Sequence, residues 1–277
     1  MSRYLKLVNF EINRFAKLFT VLLGIILLVQ IAGVIILSKM YVNLANEKIY
    51  EDMMSKAAFL SRRGPMSFSD IVGSVWFLGP IALCIAAIAF YIFFIWYRDW
   101  FGKNTFIYRL LMLPTARLNV FFAKATTILL TTFGFVAFQL ILLPIETTIF
   151  KWMVPNEFRV DLGIQDIIGS LPELLVIIPN SFVEFFLYYG AGFVIVSIMF
   201  TAILFERSYR WKGVLIGVLY SLVAVVVFII PMILQSFVLN EFFYPIELLA
   251  IEVVMAAIIL ACSIWTSGYL LKKKVTV

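Results

Sequence analysis

Six long apolar stretches occupy most of this chain and fix what it can fold into. They fall at about residues 18–37, 71–97, 125–144, 183–205, 213–238 and 246–270. A helix rises 1.5 Å per residue, so about 20 residues span the roughly 30 Å hydrocarbon core of a bilayer. Inside that core each backbone N–H and C=O must find its partner within the protein, which a helix achieves by itself. The sequence predicts an all-α integral membrane protein with six transmembrane helices. Composition points the same way: 64% of residues are hydrophobic, 14% are charged, and the mean hydropathy is +1.05. A soluble domain of this size needs a far more polar surface. The 277 residues hold one membrane domain and modest loops, with no room for a separate catalytic domain.

Composition also excludes several classes of chemistry. The chain has no histidine, so histidine acid–base chemistry and histidine metal ligation are absent. Cys84 and Cys262 both fall within apolar stretches and read as packing residues. The net charge of +6 comes from basic residues at helix ends, where anionic headgroups account for them without nucleic acid. The first apolar stretch is too long for a typical leader peptide and lacks a small-residue cleavage pattern after it. It reads as a retained signal-anchor helix.

Charge sets the expected orientation. Residues 1–17, 98–124, 206–212 and the C-terminal tail hold 15 of the 22 Lys and Arg but only Glu11, Asp99 and Glu206 among the 16 acids. Carrying a Lys or Arg through the membrane centre costs about 2.5–3.5 kcal/mol on insertion scales. The bias predicts that these four segments, both termini included, face the cytoplasm.

The polar segments have their own patterns. In residues 1–17, Tyr4, Leu7, Val8, Ile12 and Phe15 share a broad helical face, with Arg3, Lys6, Arg14 and Lys17 around it. This pattern fits an amphipathic helix at the membrane surface or a charged flank of the first span. Residues 145–183 form a long external connector, whose short apolar piece at 164–179 lies at the outer interface or dips into the membrane. Turns or bends are expected near Gly79-Pro80 and at Pro231. The connector at 98–124 is the most informative. Asn104 or Thr105 can cap a helix, Phe106, Tyr108, Leu110, Leu111 and Leu113 supply apolar surface around Arg109, and Pro114 ends the run. Such a helix docks into a partner's groove or rests against its own helix ends.

The segment WYRDWFGKNTFIYRLLMLPTARLNVFFAK, set after a basic amphipathic N-terminus and two spans and before four more, resembles the membrane subunit of an ABC transporter of the ABC-2 exporter class. The resemblance implies an N-terminal elbow helix over residues 1–17 and a six-span domain over 18–277. It also implies a cytoplasmic coupling helix at about Asn104–Leu113, whose closest matches are Tyr108, Arg109, Leu110, Leu111, Leu113, Pro114 and Arg117. It further implies two copies of a cytoplasmic ATPase subunit, a second copy of this permease or a related one, and a bacterial cytoplasmic membrane. The chain has no GxxxxGK[ST] loop, and Gly102-Lys103 is followed by Asn104-Thr105 without a glycine-rich approach. ATP and Mg are therefore expected on the separate ATPase, with no cofactor on this chain.

Glu184 and Glu252 are candidate substrate-path or structural acids, as carboxylates within apolar segments. The 28 Phe line a cavity or pack against lipid. The expected cargo is an amphipathic peptide, an antimicrobial compound or a lipid-like molecule. An ion-coupled secondary carrier and a non-transport assembly or sensor protein are the alternatives.

Overall fold

The computed structural model describes residues 3–100, 106–112, 116–237 and 242–274. Six of its helices are long and apolar enough to cross a membrane. They are α1 (Arg3–Asn46), α4 (Val75–Trp100), α6 (Leu118–Met153), α9 (Phe182–Tyr209), α10 (Trp211–Phe237) and α11 (Pro245–Lys273). Shorter helices are α2 (Lys56–Arg63), α3 (Phe68–Val72), α5 (Phe106–Leu111), α7 (Ile164–Gly169) and α8 (Pro172–Ile177). The described strand structure is a two-residue parallel pairing of Met66 with Arg159 and Ser67 with Val160. The protein is an all-α polytopic membrane protein.

Several helices outrun the expected spans. No break separates residues 3–17 from the first span, because no glycine or proline interrupts the chain between Arg3 and Gly24. At 1.5 Å per residue α1 is about 66 Å long, well beyond the hydrocarbon core. The third span likewise continues past Pro144 to Met153. Proline lacks an N–H, and here the Thr147 and Thr148 hydroxyls donate to the Pro144 carbonyl. Pro80 and Pro231 also lie inside continuous helices.

The chain divides into two compact units. The first comprises residues up to Arg14, Ile88–Leu130 and Ser181–Val277. Within it α9 and α10 form a hairpin turned at Arg210, which adopts φ +55°. Their backbones meet at Gly213 and Gly217, where an added Cβ would lie 2.0 Å from the Phe205 carbonyl oxygen and 2.8 Å from that of Ala202. Small residues four apart permit such close approach in membranes. Helix α11 adds polar contacts: Thr201 and Ser267 share a hydroxyl hydrogen bond of 2.9 Å, and Tyr220 and Ser263 one of 2.7 Å.

The second unit comprises Phe15–Ala87 and Thr131–Asn180. Its core joins Val34 of α1, Phe77 of α4 and Leu143 and Phe150 of α6 with Phe68 of α3 and Leu174 of α8. The Ser67 N–H donates to Asp70 at 2.8 Å, fixing the start of α3. The apolar piece at 164–179 is thus two six-residue helices, each too short to cross a bilayer, with Ile167, Ile168, Leu174 and Ile178 buried in this core. On the exposed part of the connector, the Arg159 hydrogen bond to Asp161 holds that carboxyl below its ordinary range. Its contribution is present at neutral pH and is lost as pH falls through the lowered value.

Gly217→Val forces a side chain onto the Ala202 backbone and is expected to cost about 1–3 kcal/mol, as overpacked cores do. Thermal unfolding in detergent checks this. Gly190→Ala in α9, where an added Cβ meets nothing within 4 Å, is expected to leave the midpoint unchanged or raise it.

Candidate functional site

The connector between the second and third spans carries α5, and the chain on both sides of it enters one buried ionic cluster in the first unit. Helix α4 brings Arg98 and Asp99 at its last turn, α6 brings Lys124 at its second turn, and the start of α1 brings Glu11 and Arg14. Lys124 is fully buried, and its ammonium has three acceptors: Glu11 Oε1 at 2.8 Å, Asp99 Oδ2 at 2.5 Å and the Ile95 carbonyl at 2.8 Å. The second oxygen of Glu11 accepts from Arg98 Nη2 at 2.7 Å, and that of Asp99 accepts from Arg14 Nη1 at 2.7 Å. Every carboxylate oxygen and every ammonium proton is engaged.

Aromatic rings complete the shell. Lys124 Nζ lies 5.2 Å from the Trp96 ring centroid, and Trp96 meets Phe200 of α9 edge-on at 5.4 Å. The Arg98 guanidinium lies 5.7 Å from the Phe94 ring and the Arg14 guanidinium 5.1 Å from that of Phe10. Desolvation makes such a cluster a weak source of net stability. It makes its geometry demanding, because withdrawing any partner strands a charge away from water. The cluster acts as a clamp among α1, α4 and α6.

The third acid of the basic segments, Glu206, is also engaged. It accepts a short hydrogen bond from the Tyr97 hydroxyl, while Arg207 lies 4.4 Å from the Tyr97 ring. Beside this pair an apolar groove of about 360 Å³ runs past Phe93, Met199, Val214 and Leu222.

The residues of the expected coupling interface fall as follows. Phe106, Tyr108, Arg109, Leu110 and Leu111 are on α5. Leu110 and Leu111 are 4% and 5% exposed, so they pack inside the chain, whereas Met112 beside them is 71% exposed. Arg117 Nη1 donates to the Leu271 carbonyl at 2.7 Å, satisfying one of the free carbonyls at the end of α11. Asn104, Thr105, Leu113 and Pro114 lie outside the described residues. Glu184 is in the first turn of α9, its N–H capped by Ser181, and Glu252 is about two turns into α11; both are half-buried.

Glu11, Asp99 and Lys124 stand in the sequence as separate flank charges, with no spacing that joins them into a cluster. The available signal was the rarity of acids in otherwise basic segments: an acid kept there is kept for a partner. No protein-family profile, characterised protein or solved structure matches the chain.

Lys124→Met leaves Glu11 and Asp99 buried without their shared cation and is expected to cost about 3–5 kcal/mol. Adding Glu11→Gln and Asp99→Asn to the same chain is expected not to recover that loss, because it takes the carboxylates from Arg98 and Arg14 as well. Unfolding midpoints of the single and triple variants provide the check.

Proposed function

We propose that this chain is the membrane-spanning subunit of an ATP-driven exporter of the ABC-2 class. It pairs with a second copy or a related permease, and two cytoplasmic ABC ATPase subunits supply the ATP and Mg sites. The observation that carries the reading is α5, whose two flanking stems are clamped through Lys124 and Asp99 to the start of α1. Force applied to α5 meets stems already cross-linked to the N-terminal segment, so the three helices respond together rather than bending singly.

In this reading both termini lie in the cytoplasm of a bacterial cell, as the distribution of 15 of the 22 basic residues supports. The coupling segment in this reading runs from about Asn104 to Leu113. Met112 is its exposed apolar contact, and Leu110 and Leu111 are the internal ledge through which a push is passed on. Nucleotide binding closes the ATPases and displaces α5, and the clamped helices carry the displacement into the bundle. Hydrolysis resets it. The two states differ in the contacts made by the ATPases, which is what allows ATP to bias them. An amphipathic peptide, antimicrobial compound or lipid-like molecule suits a Phe-rich interior, with Glu184 and Glu252 attracting a cationic group on the cargo.

Purification in mild detergent tests the reading. The expected result is a phosphate-loop ATPase at one copy per membrane subunit, with ATPase activity stimulated by cargo. Met112→Asp is expected to abolish that stimulation at least tenfold while leaving the unfolding midpoint unchanged, since the residue packs against nothing that must be rebuilt. Transport that runs without ATP and follows an ion gradient would instead establish the secondary-carrier alternative.

A further inference from the structure

We propose that Glu146, in the second unit, is a proton-binding site sealed from water by the external connector. This goes beyond the exporter reading and does not depend on it.

Glu146 lies on α6 and is 0% exposed, and neither carboxyl oxygen has a hydrogen-bond partner among the described residues. One turn to either side, Leu142, Leu143 and Phe150 are equally buried. Leu143 and Phe150 belong to the core that α3, α7 and α8 complete. The protein's other fully engaged buried carboxylates show what it does when it keeps such a group ionised. Glu11 and Asp99 each have both oxygens bound by Lys124 and an arginine. Glu146 has none of this, and no described Lys or Arg comes within ion-pair distance of it. An ionised carboxylate withdrawn from water without a partner is the costlier form, and the group resolves that by holding its proton.

The charged and titratable groups of the packed elements are already committed or turned outward. On α1, Lys39 is exposed and the Tyr41 hydroxyl donates to the Gly64 carbonyl. On α3, Asp70 accepts from Ser67. On α4, the part within this unit carries only the buried Cys84 thiol. On α6, Lys151 is 3.8 Å from Asp161. On the connector, Glu157 pairs with Lys56, Arg159 with Asp161, Asp166 accepts from Gly163, and Glu173 is exposed. A polar seam continues along α6: two turns before Glu146, Gln139 accepts from Gln30 at 3.2 Å, and Gln30 also donates to the Phe77 carbonyl. Gln30 Oε1, Gln139 Nε2 and the buried Ser38 hydroxyl have no hydrogen-bond partner among the described residues. They are donors and acceptors able to hold water or pass a proton.

The proton enters or leaves only when the connector helices lift. A form in which water reaches Glu146 hydrates the carboxylate and lets it ionise at neutral pH. The sealed form thus binds one more proton than the opened form. By linkage, rising pH favours opening by up to about tenfold per pH unit.

Two measurements on the full chain in lipid nanodiscs test this. In a Cys84→Ala, Cys262→Ala background, Ile168→Cys places a reporter thiol on α7 within the seal, and its maleimide labelling rate is followed against pH. Dividing by the rate in the same chain carrying Glu146→Gln removes the thiol's own pH dependence. The ratio is expected to rise with pH. Infrared spectra at neutral pH are expected to show a protonated-carboxyl carbonyl band that Glu146→Gln or Glu146→Met removes. Met is included because a neutral acid tolerates an apolar replacement of similar volume. A flat labelling ratio overturns the proposal. So does a carboxylate band lost on substitution, the signature of a Glu146 paired with a bound cation, or a loss of folding in both variants.

Discussion

Charge withdrawn from water must be met inside the protein, and this constraint organises both units. Around Lys124 it is met by pairing: one ammonium and two carboxylates have every proton and oxygen engaged, with a guanidinium on each carboxylate, among three helices. The geometry is specific because each partner's cost falls on the others if it moves. At Glu146 the same constraint is met differently, by neutrality. One rule applied to two carboxyl environments yields a rigid clamp in the first unit and a proton site in the second.

The clamp gives mechanical meaning to a short helix. A six-residue helix such as α5 has little stability of its own. Its position comes from Ile107, Leu110 and Leu111 buried in the chain and from stems fixed by Asp99 and Lys124. The two ends of the connector that carries α5 are thereby held to α1, Lys124 by Glu11 and Asp99 by Arg14.

The membrane-spanning helices were legible because apolar run length reports directly on hydrocarbon thickness. Their ends were less so. Residues 3–17 and the Pro144–Met153 stretch are polar enough to read as flank and loop, yet α1 and α6 continue through them, α6 without the one bond that Pro144 cannot donate. The packing of α9 against α10 was also written in the sequence, as Gly213 and Gly217 four residues apart, although only the closeness of the Phe205 and Ala202 backbones shows why glycine is needed there. Leu110 and Leu111 read from the sequence as part of an apolar face, but a face alone does not say whether it meets a partner or its own chain, and here both are buried in the chain.

The sequence by itself determined that this is a six-span helical membrane protein and where its charges concentrate, because both depend on local composition and bilayer thickness. Only the tertiary structure decided which charges meet. Glu11 and Lys124 are 113 residues apart, and their pairing depends on how α1 and α6 pack. The burial of Glu146 was likewise decided there, since its full withdrawal from water beside Leu143 and Phe150 is a property of the assembled unit and not of its neighbours in the chain alone.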